Sequence, residues 1–407
     1  MKSSKRASLE RVQAPLDAED IAARVLGVDT VTDFTATGSP EAGLDRMARA
    51  AWTRLAEPGN VWAHALIQLL GPVQALAAVA TRHEEVVQQF TPRLADLNVL
   101  RDFDIARRYG ARLIVPSDDE WPSGLADLEV PPVALWARGP RQAAEVCSGS
   151  VAIVGARNST DYGINQSGDL AWSLAERGRA VVSGAAYGID AAAHHGALAA
   201  HGTTVAVLAC GIDKQYPAAN AQMLAEIAQT GLILSEVAPG SAALRSRFLQ
   251  RNRLIAAVSA GTVVVEAGLR SGSRNTAGTA ASLGRVVMAF PGPVTSMASA
   301  GCHVMIRDGM ATLVTDVDEV LELISPVGEQ AAAEKLAPST VIDSLDASDA
   351  AVHDALSARP RSVGKIATIV GMGTREVLTS LGRLELEGFA INSNGQWRRP
   401  PGSRSIG

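Results

Sequence analysis

Between Val151 and Gly292, short apolar runs alternate with longer stretches whose apolar residues recur three or four positions apart. The runs VAIVG, AVVSG, TVAVLACG, LILSE, TVVVEA and VVMAFPG are rich in Val and Ile and show little polar alternation. Strands of that kind are buried on both faces, as in a parallel sheet covered by helices. The intervening INQSGDLAWSLAERG, DAAAHHGALAAHG, NAQMLAEIAQT, FLQRNRLIAAVSA and NTAGTAASLG predict those helices. Crossovers between parallel neighbours are right-handed. The expected architecture is therefore α/β, a doubly wound parallel sheet of the Rossmann type over residues 112–326. The extended pieces RLIVP and PPVALWARG feed it an edge strand.

The flanking segments read differently. Residues 1–42 are polar and weakly periodic and predict a flexible tail with one short helix at most. Over 43–111 the spacing becomes helical, broken at Pro58-Gly59 and Gly71-Pro72, and predicts a small helical domain. Residues 327–346 have the composition of a linker. From 347 to 400 three helical stretches precede FAINSNGQWRR, where Asn394-Gly395 between two strand-like runs is a hairpin signal. Three helices and a hairpin describe a winged helix.

Composition narrows the class. Hydrophobic residues make up 47% of the 407, and aromatics only 4%, which suits an Ala/Val/Leu/Gly-rich sheet. Cys147, Cys210 and Cys302 are far apart and form no C-x-x-C pair, as expected of a reducing compartment without a disulfide framework or zinc cluster. No run approaches the ~18 consecutive apolar residues of a membrane span, so a soluble, cytoplasmic protein without a membrane partner is expected. The formal net charge is −5, so any nucleic-acid binding has to come from a local basic patch.

Such a patch lies between Ser241 and Arg285, where seven arginines (Arg245, Arg247, Arg251, Arg253, Arg270, Arg274 and Arg285) face a single acid, Glu266. Planar guanidinium forks suit phosphate oxygens, and Arg247 and Arg251, four apart, share a helix face. A solvated basic helix face is the bland alternative. The carboxyl ends of the strands, where ligands of doubly wound sheets bind, carry small residues: Gly155-Ala156-Arg157, Ser183-Gly184, Ser271-Gly272-Ser273 and Pro291-Gly292. Loops of this kind bring backbone amides and a helix N-terminus close to an anion; taken singly, they also serve as tight turns.

The motifs of common nucleotide enzymes are absent. No G-x-G-x-x-G follows the first central strand, no G-x-x-x-x-G-K-[ST] loop occurs, and Ser183, Ser235 and Ser271 lack a nucleophile elbow. His194 and His195 lie in an Ala-rich helix, as structural histidines do, and carboxylates are too few near the loops for a two-metal nuclease. No cofactor, metal or catalytic residue is expected. The remaining enzymatic alternative is a nucleotide-processing hydrolase of the phosphoribohydrolase-like Rossmann type, with Glu266 as acid or nucleophile; its P-G-G-x-G-T-x-x-E pattern does not occur.

VAIVGARNSTDYG, VVSGAAYGIDAAAHHGAL, TVAVLACGIDKQYPAAN, LILSEVAPG, FLQRNRLIAAVS, VVVEAGLRSGS, AFPGPV and AGCHVMIRDGM, in this order, resemble the DNA-processing protein A (DprA/Smf) family. The resemblance implies a sterile-alpha-motif-like (SAM-like) helical domain, an extended Rossmann core and a winged helix. It also implies a homodimer that binds and protects single-stranded DNA and loads the RecA recombinase during natural transformation, without catalysis. Carried onto matching positions, the DNA-binding elements are Gly155, Arg157, Ser183, Gly184, Arg245, Phe248, Arg251, Asn252, Arg253 and Ser271-Gly272-Ser273, with Arg274 nearby. Phe248 is open to two readings, stacking on a base or anchoring its helix. The family's S-G-x-A-R-G-I-D departs here, with Tyr187 in place of Arg, and Leu249 replaces the Pro of F-P-x-R-N-R. The third helix of the winged helix mixes Arg375 and Arg383 with Glu376, Glu385 and Glu387, leaving protein contact and duplex reading both open.

Overall fold

The computed structural model describes residues 3–27, 40–326, 345–357 and 359–400. They divide into two compact units, residues 1–332 and 333–407. The expected linker at 327–346 lies, apart from residues 345 and 346, outside the described residues.

The first unit is built on a nine-stranded sheet: β1 (Ala111–Ile114), β2 (Leu135–Arg138), β3 (Val151–Val154), β4 (Val181–Ser183), β5 (Thr204–Leu208), β6 (Leu232–Ser235), β7 (Gly261–Val264), β8 (Val286–Ala289) and β9 (Thr312–Leu313). Their order is β1-β2-β6-β5-β4-β3-β7-β8-β9. The seven from β6 to β9 are parallel, in register Val151↔Gly261 between β3 and β7 and Val205↔Leu232 between β5 and β6. The pieces expected to supply an edge form β1 and β2, a hairpin that joins β6 antiparallel. β3 to β5 and β7 are buried along their whole length, which is why they read as unbroken apolar runs.

The helices Asp161–Glu176 and Ile189–Ala199 cover one face of the sheet and Arg245–Val258 and Gly272–Ser282 the other. Among the described residues no single helix is long and apolar enough to cross a membrane. The helical segment that precedes β1 is not separate from the sheet. Trp52, Leu66 and Leu76 share one core with Trp136, Leu208 and Ile233, so its apolar stripe is buried against the sheet rather than closed on itself.

The expectation of a loose tail over 1–42 is corrected. Ser3–Leu9 and Ala18–Leu26 are helices, and Val12, Ala22 and Leu26 are buried in the core that holds Trp52. The Ser8 hydroxyl accepts from the Val86 amide at 3.2 Å. In the second helix Ile21, Ala22, Val25 and Leu26 recur at helical spacing, but the run is short and flanked by polar residues, which is why it reads as one short helix at most. Residues 28–39 of that expected tail lie outside the described residues.

In the second unit the helices Ala347–Ala355, Val363–Val370 and Thr374–Leu386 pack around Ile366, Leu381 and Trp397. β10 (Arg361–Ser362), β11 (Ile391–Ser393) and β12 (Gln396–Arg398) form the wing. Its hairpin turns on Asn394 and Gly395 at φ 54° and 75°, the positive angles of a two-residue turn that keeps strand twist.

Candidate nucleic-acid interface

The winding of the sheet reverses between β3 and β7. From β3 the chain steps outward through β4, β5 and β6, then crosses back to β7 and continues to β8 and β9. The helices after β3 and β7 therefore leave on opposite faces, and a crevice opens beyond the two carboxyl ends. A cleft of ≈ 580 Å³ occupies this place, and Gly155, Arg157, Arg245, Phe248, Arg251, Asn252, Arg270 and Ser271-Gly272-Ser273 line it.

Arg157, in the loop after β3, and Arg245 and Arg270 are exposed. The Arg157 guanidinium carbon stands 4.9 Å from the centre of the Phe248 ring, a cation–π distance. Phe248 is half-buried, with the Tyr216 ring on its flank at 5.7 Å between centroids. Opposite, the helix Gly272–Ser282 begins at the cleft. Ser271 caps it, its hydroxyl accepting from the Ser273 amide at 3.3 Å and lying 2.6 Å from the Ser273 hydroxyl. A side chain at Gly272 would meet open space. A capped helix N-terminus with bare backbone and three cations around it favours an anion by electrostatics.

Arg251 is buried, at 5% exposure, and forms part of the wall. Its Nη1 donates to the carbonyls of Gly184, at 2.6 Å, and Val207. Burial lowers its pKa to about 10, Arg157 adds to the effect and Asp190 opposes it, so the side chain stays charged at neutral pH. Asp190, also buried, accepts from the amides of Gly184 and Ala186 at 3.1 and 3.4 Å, and burial raises its pKa. Arg251 thus fastens its helix across the ends of β4 and β5. Gly184 leaves room for this arrangement, because a Cβ there would meet the guanidinium and displace it.

Other expected site residues are turned elsewhere. The Ser183 hydroxyl donates to the Ile153 carbonyl at 2.6 Å, a buried tie between β4 and β3, and the Gly184 amide is already taken by Asp190. Arg253 pairs with Glu236, Nη2 to Oε2 at 2.7 Å, with 12% and 10% of the two side chains exposed. Arg274 donates to the Leu269 carbonyl and lies outside the cleft lining. Arg247, expected beside Arg251 on one face, instead holds Glu57 of the helical segment at 2.8 and 2.9 Å. Arg285 holds Asp127 at 2.6 Å. The cluster of seven is therefore divided, with Arg245, Arg251 and Arg270 left to the cleft.

Arg270 lines the cleft and Tyr216 packs on Phe248 beside it, and neither was among the expected site residues. Arg270 stood in the basic cluster, and its place beside the Ser271 cap was the signal that could have found it. Tyr216, in the loop after β5, lies within TVAVLACGIDKQYPAAN, where nothing in its local sequence set it apart. Glu266 does not face the cleft. It is 1% exposed, and Thr160 donates to it twice, from its hydroxyl to Oε1 at 2.6 Å and from its amide to Oε2 at 2.9 Å. His194 is buried against the Thr204 hydroxyl at 2.7 Å, and burial lowers its pKa to about 3. Among the described residues no three His, Cys, Asp or Glu side chains gather into a metal-holding group.

On the winged helix, Arg383 is engaged by Asp346 and Asp349 at 2.8 and 3.2 Å. The same helix exposes Leu378 and Leu386.

The model of the family described as DNA recombination-mediator protein A matches residues 112–325, and that of the DprA winged helix domain matches residues 335–396. A DprA relative from Mycobacterium tuberculosis is 45% identical over 372 residues, which cover 87% of this chain and 95% of the relative. The DNA processing protein DprA of Streptococcus pneumoniae is 39% identical over 204 residues, 50% of this chain and 71% of its own. The X-ray structure of DNA processing protein A from Streptococcus pneumoniae matches with a TM-score of 0.58 at 29% identity, covering 69% of this chain and 98% of that one.

Proposed function

We propose that this chain, which belongs to the DNA recombination-mediator protein A family, holds single-stranded DNA in the cleft at the β3/β7 reversal. In this reading it acts without catalysis, as a DNA-processing protein of the cytoplasm. One observation carries the proposal: Arg157, Arg245 and Arg270 converge with the capped N-terminus of Gly272–Ser282 on a single cleft. Successive backbone phosphates are the anions such an arrangement fits, and Phe248 adds a ring for a base. Protection of incoming strands, their delivery to a RecA recombinase and a homodimeric assembly complete the proposal by resemblance to the family.

A non-catalytic role draws support from Glu266, which is buried and whose two oxygens both accept from Thr160. For the winged helix, contact with protein is favoured over duplex reading, since Arg383 is neutralised by two aspartates and the face beside it exposes leucines.

A salt-titrated binding assay with single-stranded and duplex DNA of equal length tests the proposal. Single strands should bind more tightly, with an affinity that falls steeply as salt releases counterions. Equal or weaker binding of the single strand overturns it.

A further inference from the structure

We infer that Tyr216 and Tyr187 form a base-stacking platform beside the phosphate-holding cleft, an inference that rests on the reading of the cleft as a single-strand site. The chain contains four tyrosines. Tyr109 packs against Arg138 at 5.4 Å, and Tyr162 donates its hydroxyl to the Pro291 carbonyl. The other two stand on the loops that follow β4 and β5, 51% and 49% exposed. In a chain with only 4% aromatic residues, two half-exposed rings at the rim of a cationic cleft are a surface prepared for flat apolar partners.

The two loops are fixed before any ligand arrives. The Asn220 amide donates to the carbonyls of Ala185 and Ala186 at 3.0 and 3.3 Å, tying the segment after Tyr216 to the loop that bears Tyr187. Arg251 ties the helix bearing Phe248 to the base of that same loop through the Gly184 carbonyl. Tyr216 touches the Phe248 ring, and Phe248 touches Arg157. Arg157, Phe248 and Tyr216 thus stand in contact one after another, with the Tyr187 loop tied beside them. A single strand carries phosphates on one side of its sugars and bases on the other, so cations and rings in adjacent rows can take both at once. A pre-positioned platform also avoids the ordering cost of mobile side chains. A duplex, with its bases stacked inside, gains nothing from the rings.

At Tyr187 a ring stands where the family pattern has a cation. The exchange shifts the balance of binding from phosphates toward bases.

The test measures binding of the full chain and its Y187A, Y216A, Y216F and R157A variants to two labelled probes by fluorescence anisotropy. One probe is an oligodeoxythymidylate; the other is an abasic deoxyribose-phosphate strand of equal length. Y216A should weaken oligodeoxythymidylate binding on the order of 5- to 100-fold and leave the abasic strand within about twofold. Y187A should shift the same way, Y216F should bind like the parent, and R157A should weaken both probes. If the tyrosine variants bind both probes as the parent does while R157A weakens both, the platform is refuted and the cleft stands. If R157A changes neither, the reading of the cleft itself fails. Equal loss on both probes in Y216A marks a structural role and overturns the platform. As a check independent of folding, light-induced crosslinking of a 5-iododeoxyuridine strand to the unaltered protein should label the Tyr216 or Tyr187 peptide; adducts confined to other peptides contradict the inference.

Discussion

The Arg253 guanidinium lies against the Glu236 carboxylate, 2.7 Å from Oε2, with both side chains almost wholly buried and turned away from the cleft. Only two residues along the same helix, Arg251 closes the cleft wall. Adjacent arginines in one basic run therefore do different work, and their variants should separate.

Arg253→Ala leaves Glu236 as a buried carboxylate without its partner. Breaking such a pair costs about 3–5 kcal/mol, so the urea midpoint should drop sharply while the remaining folded protein binds single-stranded DNA like the parent. A variant of unchanged stability with weakened binding contradicts this assignment.

Arg157→Ala and Arg270→Ala remove exposed cations and should spare stability to within about 0.5 kcal/mol. Each should weaken single-strand binding about tenfold at low salt and lower the slope of log affinity against log salt by about 1. An anisotropy titration at several salt concentrations reads both quantities.

The Glu57 carboxyl is held at a pKa of about 2, below its usual 4.5, chiefly by its hydrogen bond from Arg247, with burial opposing and Arg93 assisting. A depressed carboxyl stabilises the folded state above the unfolded pKa, and that contribution disappears as pH falls from about 4.5 to about 2. With solvent screening it amounts to about 1 kcal/mol. Glu57→Gln should accordingly be less stable than the parent at pH 7 and equal to it near pH 2, as read by urea midpoints across that range. A gap that persists at the acid end shows that the pair acts by packing instead.

Glu266→Gln keeps one acceptor for Thr160 and loses the other, so it should cost about 1–3 kcal/mol of stability. Neither the parent nor this variant should release free base from nucleoside monophosphates, followed by chromatography. Release by the parent that the substitution abolishes restores the hydrolase alternative.

The sheet was legible because its strands are buried on both faces, and VAIVG or TVVVEA can be little else. The position of the cleft followed from the same pattern, since the loops after β3 and β7 carry the small residues that admit an anion. What the sequence hid was direction. Arg245, Phe248 and Asn252 fall on one face of their helix by spacing and do meet at the cleft. Arg247 and Arg253 project from other faces, and their acids, Glu57 and Glu236, lie 190 and 17 residues away. A local charge count cannot see a partner that only the fold supplies. At the N-terminus, where one short helix at most was expected, the docking of Val12, Ala22 and Leu26 into the core was hidden for a related reason, since the surface that buries them comes from later in the chain.

The two walls of the cleft belong to separate passes of the chain. One is laid down with β3, and the other arrives only after β4, β5 and β6 have been threaded and the polypeptide has doubled back to β7. A molecule halted midway owns half a grip. On the proposed reading, a strand meets both walls only once the winding is complete, which ties capture to the finished fold.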